Sequence, residues 1–165
     1  LWRQHNPVLW RELLDQARAR RAAGLAKKLP LLLGQDQDPR AVQAARSNAE
    51  RAGLSSVIRF SQACATRARP PAAKGLLVCN PPYGERMESY QVDLLYKQIG
   101  AAFKKHFSGY TCGVISSDVN ALKAIGLKPL RKYPLVNGKL DCMYYLYEMY
   151  EGTRRKFKET EHDKS

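Results

Sequence analysis

A short apolar run that stops at two consecutive prolines constrains this chain more than any other feature. The run extends from Gly75 to Cys79, and Asn80, Pro81 and Pro82 follow it directly. Its length and composition predict a buried strand. Proline has no backbone N–H, so the strand must end there, and Asn80 is held away from helical angles because a proline follows it. Asn80 therefore lies at the carboxyl end of a strand, where open α/β sheets bind their ligands.

The residues around Asn80 can bind an amine. The Asn80 side-chain oxygen and the Pro81 carbonyl are two neighbouring acceptors that can hold both hydrogens of an –NH2 group and direct the nitrogen lone pair toward an electrophile. Tyr83 offers a flat face for stacking a planar base, and Gly84 allows a sharp turn. The alternative is an ordinary turn, since Asn-Pro is a common turn dipeptide. The combination directly after an apolar strand favours the amine-binding site.

The motif also carries a family resemblance. Asn-Pro-Pro-Tyr at residues 80–83 resembles motif IV of class I S-adenosylmethionine-dependent methyltransferases that modify exocyclic or amide nitrogens. Extended through Gly-Glu-Arg, it is similar to the THUMP-associated RNA methyltransferases, which methylate the exocyclic amine of guanine in large-subunit (23S) ribosomal RNA. The resemblance implies S-adenosylmethionine as cofactor, ribosomal RNA as partner and a catalytic motif made of Asn80, Pro81, Pro82 and Tyr83. It also counts Asn80 among the cofactor-binding residues.

The resemblance also assigns roles around the base. Tyr83 would stack the guanine after it is flipped out of the RNA. Gly84, Glu85 and Arg86 would shape the loop over the base, with Arg86 either on a phosphate or paired with Glu85. No general base is evident, and direct attack by the amine followed by proton loss would not require one.

A second candidate site follows the apolar run Pro30–Leu33. Asp36 lies at the expected strand end, and Asp38 precedes Pro39 as the expected cap of a helix. A carboxylate between a strand and a helix can accept hydrogen bonds from both ribose hydroxyls, although both aspartates could instead be capping or turn residues. The stretch from Asp36 to Gly53 resembles the second motif of the same methyltransferases, which implies that Asp36 is the ribose ligand.

Cys64 occupies a position that is acidic in the resembled family. There, the strand corresponding to Val57–Phe60 is followed by an Asp that contacts the cofactor adenine, in a pattern like Gly-Asp-Ala. This chain has Ala63, Cys64 and Ala65 instead. A thiol is a weak hydrogen-bonding group without charge when protonated. The resemblance thus implies a cofactor contact at Cys64 that lacks the family's carboxylate.

The pattern of elements predicts an α/β fold. Strands expected near residues 31, 57, 76, 112, 129 and 144 alternate with helices, which is typical of a doubly wound, Rossmann-like sheet. Asn137-Gly138 predicts a hairpin, which would make the C-terminal strands antiparallel. Residues 87–91 are expected to form a mobile loop. We expect residues 1–151 to form a partial methyltransferase catalytic domain and residues 152–165 to form a charged tail.

The first strand of the resembled sheet is absent from the sequence. No glycine-rich loop precedes Asp36, and no THUMP domain is present. In class I methyltransferases this strand lies between the strands near 31 and 76, so its absence would leave two unpaired inner edges. Three explanations fit the missing strand: the chain is a fragment of a longer protein, a partner copy supplies a strand, or the first helix region fills the gap. The absence of an initiating methionine favours a fragment.

Composition supports a polyanionic partner. The formal net charge is +13, from 28 Lys and Arg against 15 Asp and Glu, although such a surplus can also serve solubility alone. Four cysteines without a C-x-x-C pair and three scattered histidines predict no metal site, and reduced thiols suit the cytoplasm. No apolar run approaches the roughly 20 residues that span a bilayer, so no membrane partner is expected.

Basic clusters are expected at the ends of two helices, on RNA phosphate or simply as favourable charges at a helix carboxyl end. They are Arg18, Arg20, Arg21, Lys104, Lys105 and His106.

Local signals predict where several elements begin and end. Asn6-Pro7 and Asp118 predict two further helix starts, and Gly24 predicts the end of the first helix. A strand is expected at Leu127–Tyr133. The helix that follows residue 91 should have an apolar face made of Val92, Leu95, Tyr96, Ile99 and Phe103.

Two rival functions remain open from sequence. Asn-Pro-Pro-Tyr alone permits methylation of adenine in DNA or of a protein glutamine amide, although Gly-Glu-Arg argues against both. A non-catalytic, basic RNA-binding module fits the charge, the missing glycine loop and Cys64. Cofactor binding separates the enzyme from the module, because the module need only bind RNA with a strong salt dependence.

Overall fold

The structure, a computed structural model, describes residue 3, residues 5–82 and residues 89–152. Helices and strands alternate along this part of the chain, with a short 3₁₀ helix at Ala65–Arg67. The α-helices are Pro7–Leu25 (α1), Pro39–Arg51 (α2), Ser89–His106 (α3) and Val119–Ala124 (α4). The strands are Leu32–Asp36 (β1), Ile58–Gln62 (β2), Gly75–Cys79 (β3), Tyr110–Ser116 (β4), Arg131–Asn137 (β5) and Leu140–Glu148 (β6).

The strands form two hydrogen-bonded groups. β1 pairs in parallel with β2, while the other four strands form a sheet in the order β3-β4-β6-β5. β3 and β4 are parallel, and β6 is antiparallel to both β4 and β5. The predicted α/β sheet with an antiparallel C-terminal hairpin is therefore confirmed. The break between β1 and β3 falls where the first strand was expected to be missing.

Three of the helices begin with the residues that the sequence predicts. The Asn6 side chain accepts hydrogen bonds from the backbone N–H groups of Val8 and Leu9. Asp38 and Asp118 cap α2 and α4 in the same way. Each cap satisfies backbone donors that have no partner inside the helix. The proline at the start of α1 and α2 adds a fixed helical φ at no hydrogen-bonding cost.

The hydrophobic core lies in the C-terminal part of the described chain. One face of α3 packs against β4, α4 and β6, and the predicted face of α3 is buried except for the partly exposed Leu95. Every residue of β4 is buried or half-buried. The fully buried large side chains are Tyr96, Tyr147, Ile99, Leu122, Val92 and Val114.

The strands beside the break are far more exposed than this core. In β3, Leu76 is 66% and Val78 is 60% exposed, and in β1 Leu33 is 44% exposed. The prediction that Gly75–Cys79 is a strand is confirmed in its bounds, but the prediction that it is buried is wrong. The reason is that β3 is an edge strand, hydrogen-bonded to β4 on one side only.

Helix α1 does not take the place of the missing strand. It remains helical throughout and buries none of its residues. Arg21 anchors it by donating hydrogen bonds to the Ala52 and Gly53 carbonyls at the end of α2, at 2.9 and 3.1 Å. Arg18 pairs with Asp15. Two of the three arginines considered for RNA contact thus have partners within the chain. Among the described helices, α1 included, none is long and apolar enough to cross a membrane.

Several predicted boundaries are wrong by a few residues. β1, β2 and β5 end three, two and four residues later than the apolar runs suggest, and α1 continues past Gly24 to Leu25. Residues 89–91, predicted as loop, belong to α3, whereas residues 87 and 88 lie outside the described part. Strand pairing explains the shift at β1: Gly34 and Gln35 are polar or small, yet they pair with Phe60 and Ser61.

The exposure of β3 predicts an unequal response to the same mutation at two sites. Leu122→Ala removes a side chain that is 1% exposed and should lower the free energy of unfolding by about 2–5 kcal/mol. Leu76→Ala, at 66% exposure, should cost less than about 1 kcal/mol. Urea unfolding followed by circular dichroism measures both. Equal losses would show that β3 is covered in solution.

Candidate functional site

Asp36 and Cys64 lie at one edge of the β1–β2 pair. Asp36 is the last residue of β1 and pairs with Gln62, the last residue of β2. Cys64 follows two residues later, and the Ala63 N–H donates to the Asp36 carbonyl at 2.9 Å. Because the strands are parallel, both carboxyl ends meet at this edge. The structure therefore brings together two of the three residues that the sequence assigns to cofactor binding, whereas the third, Asn80, follows β3 in the other sheet.

The two aspartates after β1 have different roles. Asp38 accepts from the Arg40 N–H and pairs with its guanidinium at 3.2 Å, and these Arg40 hydrogen bonds, the side-chain one foremost, lower the pKa of Asp38. Asp36 is exposed, and its Oδ1 accepts one hydrogen bond from the Asp38 N–H at 2.8 Å. The prediction that Asp38 is the helix cap is confirmed. The second carboxylate oxygen of Asp36 accepts no hydrogen bond from another described residue and can accept from a ligand.

Cys64 has an environment that favours its thiolate. Its sulfur lies 3.2 Å from the Thr66 hydroxyl, and the side chain is half-buried. Hydrogen bonds from Thr66 are the main cause that lowers the pKa of Cys64, with a smaller contribution from Arg67. Burial acts in the opposite direction on the strand cysteines, raising the pKa of Cys79 and of Cys112 to about 12 in each case. Cys64 is therefore a better hydrogen-bond acceptor than an ordinary thiol.

The predicted amine-binding residues lie at the end of β3. Asn80 is exposed, Pro81 is buried and Pro82 is half-buried. Pairing of Cys79 with Val114 fixes the end of β3 against β4. An exposed amide next to a buried proline is thus held on a backbone with little freedom.

A buried polar group supports this end of the sheet, and sequence reasoning missed it. Ser116, the last residue of β4, is fully buried. Its hydroxyl oxygen accepts hydrogen bonds from the Asp118 N–H at 3.1 Å and from the Tyr96 hydroxyl at 3.0 Å. These bonds tie the end of β4 to both α3 and α4. A serine at the end of an apolar strand and a tyrosine on the apolar face of a helix were the available signals.

The remaining substrate-binding candidates cannot be placed in this site. Tyr83, Gly84, Glu85 and Arg86 lie outside the described residues. The described site residues fall into two groups, Asp36 and Cys64 on the β1–β2 pair and Asn80 to Pro82 on the four-stranded sheet. Across the part of the chain that the structure describes, no three His, Cys, Asp or Glu side chains form a group that could hold a metal ion.

Comparison with known proteins gives a consistent result. A family model described as "RMKL-like, methyltransferase domain" matches residues 1–146. The ribosomal RNA large subunit methyltransferases K/L of Shewanella oneidensis and of Shewanella sp. strain ANA-3 are 39% and 40% identical over 156 residues, or 93% of this chain. The chain spans only 22% of the length of these curated relatives.

Solved structures share the fold. A protein from Clostridium difficile 630 described as a possible methylase has a TM-score of 0.76 and 30% identity, over 93% of this chain and 40% of that one. SMU.472, whose structure was solved in complex with SAH, has a TM-score of 0.72 and 27% identity, over 92% of this chain and 40% of that one.

The cysteine environments predict an order of chemical reactivity. At pH 8 a disulfide reagent such as Ellman's reagent should modify Cys64 well before Cys79 or Cys112, because only the Cys64 pKa is lowered and the other two are raised by burial. Peptide mass spectrometry after short exposure identifies the modified residue. The Cys64→Ser variant should lose the fast phase. Earlier modification of Cys79 would contradict the structure.

Proposed function

Since the chain belongs to the RMKL-like methyltransferase domain family, we propose that residues 1–151 are the later part of a methyltransferase catalytic domain. The whole protein would methylate the exocyclic amine of a guanine in 23S ribosomal RNA with S-adenosylmethionine. The observation that carries the proposal is the exposed Asn80 amide beside buried Pro81 at the carboxyl end of β3. The names of the Shewanella relatives support the ribosomal RNA substrate.

Asp36 and Cys64 are the residues that would hold the cofactor. The Asp36 carboxylate is exposed at the end of β1 and can accept from the ribose hydroxyls. Cys64, with its lowered pKa, would accept from the adenine amine in place of a carboxylate. The SAH bound to the structural neighbour SMU.472 supports a cofactor of this type. S-adenosylmethionine supplies a methyl group attached to a positively charged sulfur.

Asn80 and Pro81 would orient the amine. The Asn80 side-chain oxygen and the Pro81 carbonyl would accept the two N–H bonds of the amine and direct its nitrogen lone pair toward the methyl donor. Positive charge would develop on this nitrogen as it takes up the methyl group. The two oxygens offset that charge, and the amine proton then leaves to water. One such preorganised group is worth about 3–4 kcal/mol in the transition state.

Tyr83 and its neighbours complete the proposed base pocket. Tyr83 would stack the flipped guanine, and Gly84, Glu85 and Arg86 would form the loop over it. The Tyr96–Ser116–Asp118 bonds support this end of the sheet from below and keep the strand ends in register.

The proposed enzyme needs one further parallel strand between β1 and β3. Both strands have an unpaired edge in the described structure and carry exposed leucines or valine: Leu32, Leu33, Leu76 and Val78. Burying these four side chains would contribute on the order of 5 kcal/mol, in addition to pairing the backbone. We propose that a longer polypeptide supplies this strand together with the glycine-rich loop and a THUMP domain.

Two further assignments, of the compartment and of the C-terminal tail, belong to the same proposal. The cysteines of the chain are free, which fits the reducing cytoplasm where ribosomal RNA is modified. Residues 152–165 would act as a charged tail, although residues 153–165 lie outside the described part.

Cofactor binding by the chain is the first test. Calorimetry with S-adenosylmethionine should show binding that Asp36→Asn weakens at least about tenfold, because the amide keeps the shape but loses a charged acceptor. Asp141→Asn, a matched change on β6, should have no effect. Cys64→Asp should strengthen binding several-fold by restoring a carboxylate. If the folded chain binds nothing, it does not form the cofactor pocket by itself.

Methyl transfer tests the chemistry. A chimaera is made by fusing the segment that precedes the matched region in the Shewanella oneidensis relative to the N-terminus of this chain. Radiolabelled S-adenosylmethionine and unmodified 23S ribosomal RNA are then added. Asn80→Ala should lower kcat about 10²–10³-fold at saturating cofactor. Nucleoside analysis should find the label on the exocyclic amine of guanine. Label on adenine or protein glutamine would favour the rival substrates, and RNA binding without transfer by a cofactor-binding chimaera would favour the non-catalytic module.

A further inference from the structure

A basic cavity lies between the 3₁₀ helix and the second half of α3, and Thr66, which contacts Cys64, is part of its lining. It is open to solvent and has a volume of about 470 Å³. Arg67 and Arg69 line it from one side, and Lys105 and His106 from the other. The other lining residues are Thr66, Gln98, Ala101 and Ala102.

The basic side chains of this cavity have no acidic partner among the described residues that line it. All of its lining residues are basic, polar uncharged or small, and none is an Asp or Glu. Within residues 5–82 and 89–152, no ion pair involves Arg67, Arg69 or Lys105. Like charges brought together without an acid repel one another. The arrangement is therefore better satisfied with an anion bound than without one.

The end of α3 explains only part of this cluster. A helix carboxyl terminus attracts the cations of its own last turn, which accounts for Lys105 and His106. Arg67 and Arg69 come from a different element and add two further charges at the same place. Arg69 is also held in position, because it donates to the Arg67 and Ala68 carbonyls at 2.9 and 3.0 Å. The cluster is thus assembled by tertiary packing.

The positive charges that line the cavity also act on the pKa of His106. Partial desolvation, followed by the charges of Arg69 and Lys105, lowers the pKa of His106. The imidazole is therefore predominantly neutral at pH 7, with one nitrogen donor and one acceptor. It stands beside three side chains that carry permanent positive charge at that pH.

The cavity is remote from the residues that would hold the reacting amine. Its α3 residues, Gln98 to His106, lie about 14–26 Å along the helix from Ser89, at a rise of about 1.5 Å per residue. Asn80 precedes α3 and lies at the carboxyl end of β3. A ligand that reaches both places must be large.

We propose that this cavity binds the phosphate backbone of the RNA substrate at a point remote from the modified nucleotide. The inference rests on the proposed function in one respect, that the substrate is RNA. The Arg67 and Arg69 guanidinium groups can each hold a phosphate with two parallel hydrogen bonds, and Lys105 adds a point charge. Gln98 can hydrogen-bond a sugar or phosphate oxygen. The open shape suits a polymer backbone that passes through, and the contact would position the RNA without reading its sequence.

The test compares two double variants that each lower the formal net charge from +13 to +11. The cavity variant is Arg67→Gln with Lys105→Gln, two residues whose side chains make no hydrogen bond to another described residue. The control is Arg11→Gln on α1 with Lys139→Gln in the turn between β5 and β6, both exposed. Filter binding of the 165-residue chain to protein-free 23S ribosomal RNA is measured between low and high salt.

The cavity variant should bind the long RNA at least about tenfold more weakly near physiological salt. The slope of log K against log salt concentration should decrease in magnitude by about 1.5, because each lost phosphate contact accounts for about 0.7–0.9 of that slope. The control should change both quantities much less. Arg67→Lys with Lys105→Arg, which keeps the charge, should restore long-RNA binding and exclude a folding defect.

Equal losses in the two double variants would overturn the proposal in favour of a general charge effect, as would a cavity variant that binds long RNA like the unmodified chain. Calorimetry with S-adenosylmethionine is run on the unmodified chain and on Lys105→Gln alone, because Arg67 also acts on the pKa of Cys64. Unchanged cofactor binding together with weakened RNA binding in Lys105→Gln supports the cavity. If the unmodified chain binds RNA through the cavity but binds no cofactor, the proposed cofactor pocket is wrong and the phosphate site stands.

Discussion

The pairing of β4 with β3 on one side and β6 on the other is the interaction on which the described structure depends. Parallel bonds to β3 and antiparallel bonds to β6 satisfy the backbone of β4, while its side chains are covered by α3 and α4. Gly113 permits this packing, because the Tyr144 hydroxyl of β6 occupies the space that a Cβ at residue 113 would need. The strand end that carries Asn80 is aligned through the same ladder.

Local rules predicted the parts of the fold and site that are decided within a few residues. Side-chain caps and prolines located the starts of α1, α2 and α4, since the donor and acceptor involved are two or three residues apart. The two prolines after Cys79 set the end of β3. The distinction between Asp38 as cap and Asp36 as exposed strand-end carboxylate also followed from chain order alone.

Other features depend on residues far apart in sequence and could not be predicted. β1 continues through Gly34 and Gln35 because β2 offers bonding partners, which an apolar-run criterion does not register. The burial of Ser116 requires Tyr96 from another element. The apolar run of β3 predicted a buried strand, as expected for a strand with a neighbour on each side. In the described structure β3 has one neighbouring strand, so the prediction of burial is wrong. Assembly of the basic cavity from two elements was equally invisible, although its lysine and histidine were noted.

The two open strand edges also affect whether the chain aggregates. Natural edge strands are protected from pairing with other molecules by charges, prolines or bulges. β3 has the sequence Gly-Leu-Leu-Val-Cys, with no charge or proline inside it, and its Leu76 and Val78 are mostly exposed. Such an edge is a template for intermolecular strand addition, which is second order in protein and is accelerated by concentration and heating. The segment that positions the amine-binding motif is therefore also the segment through which the chain would aggregate, and dilution favours the monomer.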